Sequence, residues 1–217
     1  MSFYQIYYDY AQRSELYPFA IPYKNESLTP FFENTVISDI VSKDTDSDIL
    51  SVCSWRLRAK RGDCPIQLQG RNLTEEAILS SDFDVAILTP RSPRHKPLLM
   101  ASHWHGKAWD DAIADLRKFM HVPKELTNTI YENHFIARRE IYQQYVYQCL
   151  NPVMDYMRGR DVYFTDSGYV AKVRRNTTKV EAMRKALGRD DWPIAPFVLE
   201  RLFSIWIEGK GFKVTIL

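Results

Sequence analysis

The apolar positions along this chain switch between a two-residue and a three-to-four-residue period, and the switches mark the elements. Ser2 to Tyr8, rich in aromatic and β-branched residues, predicts a first buried strand. Asp9 to Asn25, with Pro18 and Pro22, predicts a long loop of the kind that often carries function or packs over a sheet edge. Phe31, Phe32, Val36, Ile37, Ile40 and Val41 then repeat at helical spacing to about Lys43, with Ser27 as N-cap and Pro30 near the first turn. Ile49 to Leu57 reads as the next strand, and Val85 to Thr89 as another, stopped by Pro90. Thr74-Glu75-Glu76 opens a short helix through Leu79.

Trp109-Asp110-Asp111 opens an amphipathic helix through Met120, with Ile113, Leu116, Phe119 and Met120 facing inward. Phe135-Ile136-Ala137 is a short buried strand. From Arg138 to Met157 the spacing turns helical, placing Tyr142, Tyr145 or Val146, Cys149, Val153 and Met157 on one stripe. Pro152 should kink or divide that helix, because it removes a backbone donor and crowds the preceding turn. Val162-Tyr163-Phe164 and Tyr169-Val170-Ala171 suggest a hairpin around Gly168, and Val180 to Leu187 a short helix closed by Gly188. A helix from Phe197 to Ile207 and a strand from Phe212 to Leu217 complete the pattern. It predicts one α/β domain over residues 1–217, with a mixed, mainly parallel sheet flanked by helices.

Composition narrows the function. Hydrophobic residues make up 45% of the 217 positions and charged residues 26%, the balance of a globular chain with a real core. The 29 basic and 27 acidic residues nearly cancel, which argues against a broad nucleic-acid footprint. No apolar run is long enough to span a bilayer, and the start of the chain lacks a signal-peptide pattern, so a cytoplasmic location is expected. Cys53, Cys64 and Cys149 stand in no Cys-x-x-Cys spacing and read as reduced packing thiols. The 13 Tyr, 11 Phe and 5 Trp suit a core, and also a surface that stacks on sugars or bases.

Several constellations carry candidate chemistry. Arg56, Arg58 and Lys60 alternate along the extension of the Ile49 strand, so in an extended chain they share a face. That face is either a diphosphate clamp or a solvated edge that blocks strand-to-strand aggregation. His103-Trp104-His105 would point two imidazoles to one side of a strand, where they could bind a metal ion or face phosphate and sugar hydroxyls. Lys107 and Ala108 stand where a metallo-hydrolase would continue with Asp and His. Asp82-Phe83-Asp84 is an Asp-x-Asp, but it precedes its apolar run rather than ending it, as a turn would. The Asp44-Thr45-Asp46-Ser47-Asp48 series lacks the Gly and the closing Glu of a calcium loop.

Asn133 and His134 sit at the mouth of a buried strand, as turn residues or as ligand contacts. Glu200 and Arg201 lie inside the apolar run Phe197-Val198-Leu199-Glu200-Arg201-Leu202-Phe203-Ser204-Ile205-Trp206, so they must pair with each other or face a cleft. No phosphate loop, Gly-x-Gly-x-x-Gly or Gly-x-Ser-x-Gly occurs.

Five stretches, Val52 to Arg58, Phe83 to Pro90, Ser102 to His105, Asn133 to Tyr145 and Phe197 to Val214, share an order of motifs. They run Ser-Trp-Arg, Asp-Val-x-Ile-Leu-x-Pro, a His-containing segment, Asn-x-Phe-Ile-x-Arg-x-Glu-x-Tyr and Glu-Arg-Leu-Phe-x-Ile-Trp. In this the chain resembles bacterial capsular-polysaccharide glycosyltransferase-like proteins. The resemblance implies a GT-A-like fold and transfer of a sugar from a nucleotide-sugar to a polysaccharide or lipid-linked acceptor, with peripheral membrane association through such an acceptor. The resemblance places Asn133 near a donor-side asparagine, and on this reading Asn133 positions the sugar, Glu200 is the base oriented by Arg201, and Arg56, Arg58, His103 and His105 contact the donor. It names no metal ligand and leaves Mn2+ or Mg2+ open as a cofactor. Two other readings stand beside it: a non-catalytic sugar- or nucleotide-binding protein using the same cleft, and a metal-dependent hydrolase using His103 and His105.

Overall fold

The computed structural model describes residues 1–26, 29–61, 67–68, 71–72, 81–88, 96–128, 130, 133–169, 188 and 190–216. The expected helices at 74–79 and 180–187, the Tyr169 to Ala171 half of the hairpin, Ser27 and Cys64 fall wholly or mostly outside them. The first strand, β1 (Ser2–Tyr7), is followed by a short helix, α1 (Tyr10–Arg13), and by β2 (Ile21–Lys24). The stretch expected to be a loop therefore contributes both a helix and a strand. Asp9 caps α1 through a capping box with Gln12. Next come α2 (Glu33–Lys43), β3 (Ile49–Ser54), α3 (Arg56–Arg61), a small ribbon of β4 (Gln67–Leu68) and β5 (Arg71–Asn72), and β6 (Val85–Ile87). After them follow α4 (Pro97–His105), α5 (Lys107–Phe119), β7 (Phe135–Arg138) and α6 (Arg139–Tyr145). The last elements are a π turn (Val146–Leu150), α7 (Asn151–Met157), a 3-10 turn (Asp161–Tyr163), α8 (Ala195–Ile207) and β8 (Val214–Ile216).

Six of these strands form one mixed sheet in the order β2-β1-β3-β7-β6-β8. β1 is parallel to β2 and β3, and β6 is parallel to β8. β7 lies between the two groups, antiparallel to both β3 and β6, with Leu50 and Val85 each opposite Ala137. Side chains alternate across the sheet as the two-residue period requires. Ile6, Leu50, Val52, Val85, Ile87, Phe135 and Ala137 face a large core with α2, α5, α6 to α7 and α8. Phe3, Ile49, Cys53, Ala86 and Ile136 face a smaller core closed by Tyr17, Leu57 and Phe83. Both faces being covered, these strands read as continuous apolar runs rather than strict alternations.

Three local expectations need correction. Ile49 to Leu57 is strand only as far as Ser54, and α3 starts at Arg56 because Leu57 turns into the smaller core, where it is fully buried. His103-Trp104-His105 lies in a helix, since Pro97 opens α4 and Gly106, at φ 57°, ends it. Phe119 does not face inward. It is 43% exposed and stacks on Tyr156 with 4.4 Å between ring centroids. At Pro152 the regular helix is divided, as the proline leads one to expect. The hydrogen bonding widens into a π turn just before it, so the missing proline donor falls where the ladder has already shifted.

Candidate functional site

The carboxyl ends of β1, β2, β3 and β6 and the amino end of β7 meet along one edge of the sheet. Ligands of open α/β sheets bind outside such an edge, where loops rather than paired strands present polar groups. Here β1 delivers Tyr8, β2 delivers Asn25, β3 leads into Trp55 and Arg56, and β7 is preceded by Asn133 and His134. Backbone bonds fix these positions: Asn25 N donates to Tyr7 O at 2.8 Å, Trp55 N to Ile6 O at 2.9 Å and Leu88 N to His134 O at 3.0 Å.

Two helices reach the same edge. Glu33 is the first residue of α2, set there by Phe32, whose backbone holds φ 51° while its ring stacks on Trp192 at 4.9 Å. Positive φ at a bulky residue costs about 1–3 kcal/mol and persists only where the surroundings impose it. α8 is anchored one turn beyond Glu200 by Phe203, which stacks on Phe135 at 3.8 Å and meets Tyr145 edge-on at 4.8 Å. Ser204 holds the helix to the neighbouring loop by accepting from Ile130 N at 2.8 Å.

Tyr8 is the hub of the cluster. Burial, the hydrogen-bonded Glu33 carboxylate and the more distant charge of Glu200 all push its hydroxyl well above the usual tyrosine range, with only Asn25 opposing. Tyr8 therefore stays protonated and acts as a donor. Burial first, and the Glu33 charge among lesser causes, also raise the Cys53 thiol to about 12, so Glu33 faces the ends of both β1 and β3. Cys53 Sγ donates to Asn133 O at 3.7 Å, which ties β3 to the residue that opens β7.

Asn133 adopts φ 57°, a conformation asparagine tolerates better than most residues. It is 2% exposed, and its Nδ2 lies 3.5 Å from Asn34 Oδ1. Its Oδ1 has no hydrogen-bond partner in the protein, and the side-chain amide of Asn25, which is 3% exposed, has only the Tyr8 hydroxyl beside it. Leaving such a group unsatisfied costs about 1–3 kcal/mol. Such atoms at one edge mark a place that water or a ligand completes.

The residues singled out from sequence divide into two groups. Asn133 and Glu200 come to the carboxyl edge, and Arg56 stands at its mouth directly after β3, its guanidinium 5.8 Å from the Trp55 ring centroid. Glu200 Oε2 accepts from Arg201 Nη1 at 2.6 Å, and the same guanidinium donates to Phe197 O at 3.3 Å. Arg58 is elsewhere. On a helix it lies about 200° from Arg56 rather than on a shared face, and it donates to Ser14 O and Leu16 O at 3.3 and 3.2 Å. His103 and His105 diverge on α4 for the same reason. His103 is exposed, whereas His105 is partly buried, with Nδ1 3.0 Å from Ser167 O and its ring 4.2 Å from that of Phe197. The shared face needed for two imidazoles on one ion is lost.

Asp82 and Asp84 lie at the opposite edge, before β6, where Lys213 Nζ bonds Asp82 and Lys213 N donates to Asp84 Oδ2 at 2.8 Å. Among the described residues no group of three His, Cys, Asp or Glu is placed to hold a metal ion. No helix among them is long and apolar enough to cross a membrane.

Comparisons with family models, curated proteins and solved structures give no match. The geometry must speak alone. Sequence reasoning missed Tyr8, Asn25 and Glu33, three common residue types from three separate elements. The one signal available was position, since each directly follows a strand or opens a helix.

Proposed function

We propose that the chain is a glycosyltransferase with a GT-A-like sheet, moving a sugar from a nucleotide-sugar donor to a polysaccharide or lipid-linked acceptor. One observation carries this reading. Tyr8, Asn25, Glu33, Asn133 and Glu200 converge at the carboxyl edge of a mixed, mainly parallel sheet, with the buried Asn133 Oδ1 left unpaired. A site of amides, a protonated phenol and carboxylates suits a polyhydroxylated substrate, because each sugar hydroxyl both donates and accepts. Glu200 is the base for the acceptor hydroxyl, oriented by Arg201, and Arg56 at the mouth meets the departing diphosphate. Asn133 positions the sugar. These roles use side chains alone. The Asp-x-Asp lies across the sheet from them, so the described residues do not fit a diphosphate-bound Mn2+ or Mg2+.

A non-catalytic sugar- or nucleotide-binding protein would use the same edge, and turnover separates the two. The first experiment is a thermal-shift panel of UDP, GDP, dTDP and their sugar conjugates, with and without manganese. A ligand at about 100 times its Kd stabilises by about 2.7 kcal/mol, which gives a rise of several degrees. Release of nucleoside diphosphate from the stabilising conjugate then supports transfer or its hydrolytic side reaction. If no conjugate shifts the melting temperature at millimolar concentration and none is turned over, the proposal falls.

A further inference from the structure

A groove between α2 and α7 carries polar groups that the carboxyl edge does not use. Thr35 and Ser38 of α2 face Asn151, Met154, Asp155 and Arg158 across a space of about 310 Å³. The last four stand at i, i+3, i+4 and i+7 on α7 and its cap, so they share one face over about 10 Å. We infer that this groove binds a neutral saccharide, an inner sugar of the acceptor chain, on the condition that the acceptor is a saccharide, as proposed above.

The lining decides the chemical class. Ser38 Oγ and the Asn151 amide have no hydrogen-bond partner among the described residues, and both open onto the groove. Each offers a donor and an acceptor, as every sugar hydroxyl does. The Thr35 hydroxyl donates to Phe32 O at 2.9 Å, which leaves its oxygen as an acceptor. Asp155 accepts from Arg158 in an exposed ion pair, so the walls carry one charge of each sign and an excess of neither. The same guanidinium lies 5.9 Å from the Phe31 ring centroid, within cation–π reach. Buried Met154 gives the groove an apolar floor for the C–H face of a sugar ring. The six lining residues include no unpaired cation to hold a phosphate and no ring to stack on a base. The volume is at the small end of the range for ligand pockets, about 300–1,000 Å³, which suits a short saccharide better than a nucleotide-sugar.

Position gives the role. Glu33 opens α2 at the carboxyl edge, and Thr35 follows within the same first turn. Along the helix axis Thr35 lies about 3 Å and Ser38 about 7.5 Å beyond Glu33. A glycan whose terminal hydroxyl reaches that edge has its preceding sugars beside α2.

Two-dimensional proton–nitrogen NMR of the full chain tests this with maltose, cellobiose, lactose and N,N′-diacetylchitobiose, and with glucuronic acid and inorganic phosphate as anionic probes. At least one disaccharide should shift the amides from Thr35 to Asp39 together with those from Val153 to Arg158. Ser38→Ala combined with Asn151→Ala should weaken that disaccharide about tenfold. Both changes put the best helix former at a helical position, so the melting temperature should not fall.

Absence of any disaccharide-induced shift in these amides at millimolar concentration overturns the proposal. So does wild-type affinity in the double variant, or tighter binding of glucuronic acid or phosphate in the groove than of every disaccharide. The two proposals fail separately. Disaccharide binding in the groove without nucleotide binding or turnover removes the transferase and keeps the groove. Nucleotide-sugar turnover with no saccharide in the groove does the reverse.

Discussion

Replacing Glu200 by Gln separates a structural ion pair from a catalytic base. The pair is close, 2.6 Å from Arg201 Nη1 to Glu200 Oε2, with the two side chains 11% and 27% exposed. A fully buried pair loses about 3–5 kcal/mol when one partner is removed, because the other charge is stranded. Here Gln retains an acceptor, and Arg201 keeps its bond to Phe197 O. The change is then from a charge-assisted bond of about 1.5–3 kcal/mol to a neutral one of about 0.5–1.5 kcal/mol, a loss near 1–2 kcal/mol. For a chain of 217 residues that lowers the melting temperature by about 2–8 °C. Removing a general base lowers turnover by about a hundredfold or more. Calorimetry and nucleoside-diphosphate release, measured on one preparation, give both numbers. Turnover within about threefold of wild type, below the smallest general-base contribution, would show that Glu200 is not the base. A drop above 10 °C, beyond the loss worked here, would show that the pair is structural.

Other expectations follow from the packing and the charges. Phe203→Ala removes the ring stacked between β7 and α8 and should cost about 3–5 kcal/mol in urea unfolding, with Glu200 displaced and activity lost together. Asp115 is buried, which opposes its charge, but Lys118 and Arg160 outweigh that and hold its carboxyl below the ordinary value. A carboxylate depressed on folding stabilises fully above its unfolded pKa of about 3.9, and loses that contribution as pH falls toward the folded value. Asp115→Asn should therefore lower the urea midpoint at pH 7 and flatten its decline below about pH 4. Burial raises Cys53 and Cys149 to about 12, so iodoacetamide at pH 8 should leave both unlabelled in the folded protein and modify both in urea, as peptide mapping would record.

The inner strands β3, β6 and β7 were readable because they are buried on both faces. Phe135-Ile136-Ala137 and Val85-Ala86-Ile87 have no polar position to misplace, and the stripe from Tyr142 to Met157 is long enough for the helical period to dominate. Trp55-Arg56-Leu57-Arg58 and His103-Trp104-His105 are too short for period alone to separate strand from helix, and the choice fell to tertiary contacts: Leu57 entering the smaller core, and Pro97 and Gly106 bounding α4. At the site, Glu200 and Asn133 stood out because their surroundings are apolar. Tyr8, Asn25 and Glu33 did not, since only the fold brings the end of one strand, the end of the next and the start of a helix within reach of each other.

The antiparallel wedge β7 also sets an order of assembly. Its pairing with β3 joins distant segments, as when Ser51 Oγ bonds Phe135 O 84 residues away. Closing so long a loop is slow compared with zipping β1 against its near neighbours. The first three strands can therefore associate while β6 and β8 wait for β7 to join the halves. Asn133 arrives with that strand, so the carboxyl edge is complete only once the sheet is whole. On the proposed function, a sugar bound at that edge would act as a clasp on the last seam to close. It should slow amide hydrogen exchange in β6 and β8, strands that do not carry the clasping residues, by as much as it stabilises the closed state.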